Sequence, residues 1–229
     1  MEPKFSIIIP ANNEENYIKQ TLHSIKNQTY QNFETIVVSN GCTDKTEEIV
    51  NKRVNEQLKH YSIPLANVSI ARNYGAEKAR GEVLLFLDAD THLEVNSLQK
   101  IHLQLKDYAI ATTKVLPDEK KLKYRFAMGF KNFYHRTNLY QGCSGALICK
   151  KEDFDKVGGY PELAVKEHRK LIIDVKRNGG KFKCLNTTVT TSMRRFNQWG
   201  LIKATTFWVR QWLKNYTSDL KDSEYERIR

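Results

Sequence analysis

Short apolar runs alternate with amphipathic stretches through the first half of the chain. Phe5-Ser6-Ile7-Ile8-Ile9-Pro10 reads as a buried strand stopped by proline. Asn12 or Asn13 then caps a helix with Glu14 and Glu15 in its first turn and Ile18, Leu22 and Ile25 on one face. Phe33 to Val38 predicts a second strand, ended by Ser39-Asn40-Gly41. Thr43 or Asp44 caps a further helix carrying Ile49, Val50 and Val54. Val68-Ser69-Ile70 reads as a weaker strand, and Asn73 to Arg80 as a short helix closed by Gly81. Val83-Leu84-Leu85-Phe86-Leu87 is the most apolar strand and runs straight into Asp88-Ala89-Asp90. Apolar strands alternating with helices predict a parallel α/β sheet, with the loops of interest at the carboxyl ends of its strands.

The second half is less regular. Lys120 to Leu139 predicts a basic helix rich in aromatics (Tyr124, Phe126, Phe130, Phe133, Tyr134). Gly142 to Ile148 is a glycine-flanked apolar run, followed by a turn at Gly158-Gly159-Tyr160-Pro161. A helix is expected over about Glu167 to Asn178, closed by Gly179-Gly180. Trp199 to Lys214 places Leu201, Ile202, Thr205, Trp208, Val209 and Trp212 on one helical face, with Lys203, Arg210 and Lys214 elsewhere.

Composition sharpens this picture. A chain of 229 residues suits one domain, or one domain with an appendage. Its net charge of +11 is unevenly placed: residues 1–100 carry −2 and the remainder +13. From Val175 to Ser218 there is no acidic residue. Such asymmetry suits a polyanionic partner, against the plainer reading of a solvated basic face. No apolar run reaches the ~18 residues of a spanning helix, and Met1-Glu2-Pro3-Lys4 opens no signal peptide. The four cysteines (Cys42, Cys143, Cys149, Cys184) form no CxxC. A reduced, cytoplasmic protein is therefore expected.

Candidate chemistry gathers at the strand ends. Asp88 and Asp90, one small residue apart where a buried strand turns, can aim two hard oxygen donors at one Mg²⁺ or Mn²⁺ ion that also bridges phosphates. The competing reading is a helix cap or turn. Three other segments cluster with them in this topology. They are Pro10-Ala11-Asn12-Asn13-Glu14, Ser39-Asn40-Gly41-Cys42-Thr43-Asp44 and Ala71-Arg72-Asn73-Tyr74-Gly75. Together they offer the amide, hydroxyl, carboxylate and guanidinium groups that a base, a ribose and a diphosphate need. Neither a dinucleotide fingerprint nor a P-loop is present. His23, His60, His92, His102 and His135 show no ligand spacing.

Taken in order, Ser6–Tyr17, Glu34–Thr46, Ser69–Glu94 and Gly142–Gly180 resemble the family 2 glycosyltransferases of the GT-A fold. The family's run is P-x-Y-N-E-E, V-V-D-D-G-S-T-D, A-R-N-x-G and L-D-A-D, then a glycine-rich segment, G-G-F/Y and an E-D pair heading a helix. The resemblance covers roughly residues 5–200 and implies a Rossmann-like, mostly parallel central sheet flanked by helices, with a basic helical tail. It implies Pro10, Ala11, Asn12 and Glu14 at the nucleotide base, with Ser39, Asn40 and Asp44 nearby and Arg72 beside the nucleotide. It further implies Asp88 and Ala89 at the ribose and Asp88 and Asp90 at a Mn²⁺ or Mg²⁺ ion, with the pair Arg194-Arg195 near where basic residues close over the diphosphate, against the plainer reading of a surface pair.

This chain departs from the pattern at Asn12, at Ser39-Asn40 in place of Asp-Asp, and at Glu167-His168 in place of the E-D pair. The last departure concerns the base that deprotonates the acceptor. Neutral His168 can do that work, Glu167 can after a small rotation, or the base is absent and the protein inactive. The expected organisation is a nucleotide-sugar-binding half (1–115), an acceptor-binding and catalytic half of the same domain (116–195) and an amphipathic tail (196–229). The expected activity is inverting, metal-dependent transfer from a nucleoside-diphosphate sugar to a glycan or lipid-linked acceptor. Nucleic acid is not an expected partner. For the tail two readings stand: it packs back onto the main domain, or it lies on anionic membrane at the inner face of the cell. The rivals are a sugar nucleotidyltransferase and a non-catalytic protein that binds through its basic face.

Overall fold

The computed structural model describes residues 2–137, 142, 143, 145–163 and 166–214. Four strands form the parallel half of one sheet: β1 (Phe5–Ala11), β2 (Phe33–Asn40), β3 (Leu58–Ile63) and β4 (Val83–Phe86). Four more complete it: β5 (Thr91–Leu93), β6 (Ile110–Pro117), β7 (Leu147–Lys150) and β8 (Phe182–Thr191). The order across the sheet is β3-β2-β1-β4-β7-β6-β8-β5. β7 runs antiparallel to both β4 and β6, β6 and β8 are parallel, and β5 closes the far edge antiparallel to β8. The sheet is thus mixed α/β, flanked by helices on both faces.

Every residue of β1 and β2 is buried. That is what a strand covered by helices on both sides requires, and it explains the continuous rather than alternating apolar run. Ile7 and Ile9 pack with α1 (Ile18–Lys26) and α4 (Ser97–Leu105), while Ile8, Ile36 and Val38 pack with α3 (Val68–Lys78) and α7 (Glu167–Arg177). Between these lie α2 (Thr46–Asn51), α5 (Leu122–Arg136) and α6 (Lys151–Lys156). The last element, α8 (Arg194–Lys214), is broken at Gly200, whose φ of 74° and ψ of 158° are not helical.

Several sequence-based expectations change here. Pro10 does not end β1, because it lies past the last β4 pair (Ile8 with Phe86), where its missing N–H costs no ladder bond. The first helix begins at Ile18 rather than after Asn12, and Asn13 adopts a left-handed φ of 55°. Val54 falls beyond α2 and is exposed. Val68-Ser69-Ile70 is not a strand but the first turn of α3, where Asn67 Oδ1 accepts from the Ser69 and Ile70 amides at 2.9 and 3.1 Å. The third strand is instead Leu58–Ile63. The side chains of Leu201, Ile202, Thr205, Trp208, Val209 and Trp212, and all of residues 215–229, lie outside the described residues. Among the described residues no helix is long and apolar enough to cross a membrane.

Candidate active site

The carboxyl ends of β1, β2 and β4 open beside the N-terminal half of α3, and Arg72 stands at the centre. It is 3% exposed, and its guanidinium fork joins two carboxylates distant in sequence. Nη2 donates to Asp88 Oδ1 at 2.9 Å and Nη1 to Glu167 Oε1 at 2.7 Å. The guanidinium also lies 5.3 Å from the Tyr160 ring centroid. Burial alone would lower the basicity of Arg72, but Asp88 and Glu167 outweigh it and raise its pKa further. At Asp88 burial pushes upward, yet Arg72 and the His168 ring hold the carboxyl below its ordinary value.

Tyr160 is placed by a reciprocal pair. Asn73 Nδ2 donates to its carbonyl at 2.9 Å, and its amide donates to Asn73 Oδ1 at 2.8 Å. Only glycine fits just before it, since a Cβ on Gly159 would come 2.8 Å from Asn73 Oδ1 at a φ of +79°. The Tyr160 hydroxyl then meets His168 Nδ1 at 2.8 Å. His168 Nε2 lies 3.8 Å from Glu167 Oε1, too far for a hydrogen bond. Burial, reinforced by Arg72, depresses the imidazole to a pKa of about 4. The ring is therefore neutral throughout the physiological range, and the acid limit at pH 6.5 that an unperturbed imidazole implies moves down.

Asp90 lies across the same cleft. Burial raises its pKa to about 6, against the pull of Arg194 and with the help of Asp88 and Glu14. Arg194 Nη2 approaches Asp90 Oδ2 at 3.1 Å, while the same guanidinium holds Glu14 through Nη1 at 2.8 Å and Nη2 at 2.5 Å. It lies 4.6 Å from the centre of the Tyr17 ring. Arg195 is half-buried, and burial lowers its pKa while Asp90 and Asp88 oppose that shift. Lys131, from α5, is depressed by burial and supported by the fields of Cys143 and Asp88.

Other sequence-selected residues build the loops. Ser39 is fully buried, with its hydroxyl 2.8 Å from His60 Nε2. Asn40 Nδ2 donates to the Ala11 carbonyl at 3.0 Å, and Asn12 Nδ2 donates to the carbonyls of Asn40 and Gly41. Asp44 accepts from the Glu15 and Thr46 amides at 3.0 and 2.9 Å, and these bonds outweigh burial in lowering its pKa. The structure does not bring the side chains of Ser39 and Asn40 into the cleft. Pro10 and Ala11 form its edge as the last residues of β1, and Ala89 is buried between the two aspartates. Tyr17 and Lys131 join the site although sequence reading assigned them no role, Tyr160 was read only as part of the G-G-F/Y turn, and Arg194 joins it as half of the Arg194-Arg195 pair.

The donor set suits a hard dication. Asp88 keeps a side chain 56% exposed, and Asp90 carries a pKa raised by burial despite its contact with Arg194. No group of three or more His, Cys, Asp and Glu among the described residues could hold a metal alone. Two carboxylates sharing an ion with substrate phosphates is how Mg²⁺ is commonly held.

Comparisons with known proteins agree with this geometry. Residues 6–149 match the family model described as Glycosyl transferase family 2. An uncharacterized glycosyltransferase of Haemophilus influenzae is 37% identical over 173 residues, 66% of this chain and 69% of the relative. The poly(ribitol-phosphate) beta-N-acetylglucosaminyltransferase TarS of Staphylococcus aureus is 33% identical over 101 residues, 42% of this chain and 18% of that protein. Among solved structures, S. aureus TarS 1–349 in complex with UDP-GlcNAc superposes with a TM-score of 0.61 at 22% identity, covering 83% of this chain and 56% of that one. The mannosyltransferase PcManGT from Pyrobaculum calidifontis, in complex with GDP-Man and Mn²⁺, gives 0.75 at 17% identity, covering 99% and 66%. At these identities the two structures speak to the fold.

Proposed function

The chain belongs to glycosyl transferase family 2, and from that premise we propose that it transfers a sugar from a nucleoside-diphosphate sugar to an acceptor hydroxyl. The observation that carries this reading is the Arg72 fork, which ties the Asp88 strand end to the Glu167–His168 helix start across one cleft. The first segment then serves the leaving group and the second the incoming hydroxyl. Neighbours of this fold bind UDP-GlcNAc or GDP-Man, the latter with Mn²⁺, which supports a sugar-nucleotide donor. Residues 1–115 form the donor side of this reading and residues 116–195 the acceptor side.

Asp88 and Asp90 would hold Mn²⁺ or Mg²⁺ against the donor diphosphate, and such an ion supplies charge neutralisation to a leaving diphosphate. Arg194 would exchange its carboxylates for phosphate oxygens, with Arg195 beside it as a second cation. Glu14 would turn to the base once Arg194 leaves it. On the opposite side His168 takes the proton of the acceptor hydroxyl as its oxygen bonds to the anomeric carbon and the bond to the diphosphate breaks, a single displacement that inverts that carbon. Its low pKa in the free protein rises when an anionic diphosphate binds nearby. Glu167, engaged with Arg72, acts as a positioning residue. The acceptor class favoured by the basic second half is a glycan or a lipid-linked sugar.

A thermal-shift panel of UDP- and GDP-sugars, each with and without Mn²⁺, tests the reading. A nucleotide should stabilise the protein only with the metal, and Asp90→Asn should abolish that gain while the protein stays folded. Failure of every sugar nucleotide to shift the wild type would overturn the proposal.

A further inference from the structure

α5 carries a second feature that donor binding leaves unexplained. Leu122, Phe126, Phe130 and Phe133 are 80%, 80%, 67% and 67% exposed. At ~100° per residue these positions fall within one sector of roughly 80°, so they form a continuous apolar ridge along the helix. The opposite face is buried, through Tyr124, Met128 and His135. The helix therefore has two apolar faces, of which the fold covers one. The other exposed large hydrophobics, such as Val54, Leu65 and Leu103, are scattered over separate elements.

Charge identifies what the ridge meets. Exposed Lys123 flanks it on one side, and exposed Arg125 and Arg136 on the other. Residues 120–151 contain eight Lys and Arg and no Asp or Glu. A second copy of this chain would bring like charge to like charge. We infer that α5 lies on an anionic membrane surface, with its phenylalanines at the acyl boundary and its cations at the phosphates. The same helix carries Lys131, which lies within electrostatic reach of Asp88 and Cys143, so a docked α5 brings the cleft close to the bilayer. This inference does not rest on sugar transfer, and it concerns an element separate from the Trp199–Lys214 segment.

Flotation of the full chain with vesicles tests it without donor or metal. The protein should bind phosphatidylcholine vesicles carrying about 30% phosphatidylglycerol and not pure phosphatidylcholine, and should release as salt rises from about 0.1 to about 0.5 M. Phe126→Ser with Phe130→Ser should weaken binding at least about tenfold. Lys123→Gln, Arg125→Gln and Arg136→Gln together should erase the preference for anionic vesicles. Circular dichroism and melting temperature, unchanged because all five positions are exposed, show that the variants fold. Three outcomes overturn the inference. These are no flotation of the wild type, flotation indifferent to the phenylalanine pair, or light scattering that shows a wild-type dimer made monomeric by that pair.

Discussion

Burial holds the Asp90 carboxyl at a pKa of about 6, against 3.8 for an ordinary aspartate. Between those two pH values the folded protein keeps a proton that the unfolded chain has released. Stability therefore falls as pH rises through this window, and the cost is complete above about pH 6, on the order of 3 kcal/mol. Asp90→Asn removes the charge. It should raise the melting temperature by a few degrees near pH 7.5 and leave it unchanged near pH 3.5. An Asn variant that melts lower than wild type at neutral pH would show that the Arg194 pairing outweighs burial. The same titration sets the acid limit of ligand binding, since a protonated Asp90 cannot hold a dication. Mn²⁺-dependent donor affinity should weaken as pH falls through about 6, and His168→Ala should keep that profile. Turnover separates the two residues: His168→Ala should lose at least ~10²-fold with little change in donor affinity, and Glu167→Gln should lose less. The reverse ranking moves the base to Glu167.

At the level of elements, α3 delivers Arg72, and its seat on the sheet depends on a missing side chain. A Cβ on Gly75 would come 2.5 Å from Ile8 Cγ2 and 3.3 Å from Val38 Cγ2. Gly75→Ala should therefore force α3 away from β1 and cost about 1–3 kcal/mol in chemical denaturation, despite the better helix propensity of alanine. A neutral or stabilising Ala would mean that Ile8 rotates aside. Legibility from sequence varied by element for physical reasons. β1, β2 and β4 were readable because strands buried on both faces are continuously apolar. β3, with no fully buried residue, lacks both the apolar run and the alternation of a half-buried strand. Val68-Ser69-Ile70 looked like strand because β-branched residues favour extended backbone, whereas the Asn67 cap that overrides them is a single side chain. In the site, Asp88 and Asp90 stood out because charge directly follows the most apolar run. The Tyr160 contact with Asn73 and the Arg194 pairing with Glu14 did not, because the partners lie 87 and 180 residues apart.

Across the whole molecule, one sheet carries both halves of the cleft, but its strands are not joined in the order in which the chain supplies them. β5 follows the two aspartates immediately, yet its only sheet partner is β8: Thr91 pairs with Thr191, and their hydroxyls meet at 3.0 Å across 100 residues of sequence. The Ser192 amide donates to the Asp90 carbonyl at 3.2 Å, and Arg194 follows two residues later. A growing polypeptide can thus assemble β1 to β4 while the Asp90 turn has nothing to hold its far side. At about 5–20 residues per second, the ribosome delivers those contacts roughly 5–20 s after it delivers Asp90. The consequence is a built-in delay between the birth of the nucleotide cleft and its competence. Arrested nascent chains should show it: those exposing residues through 180 should gain no protease protection from donor and Mn²⁺, and those exposing residues through 214 should gain it. Equal protection at both lengths would mean that β5 is held without β8. The cleft is thus completed only when β8 has left the ribosome.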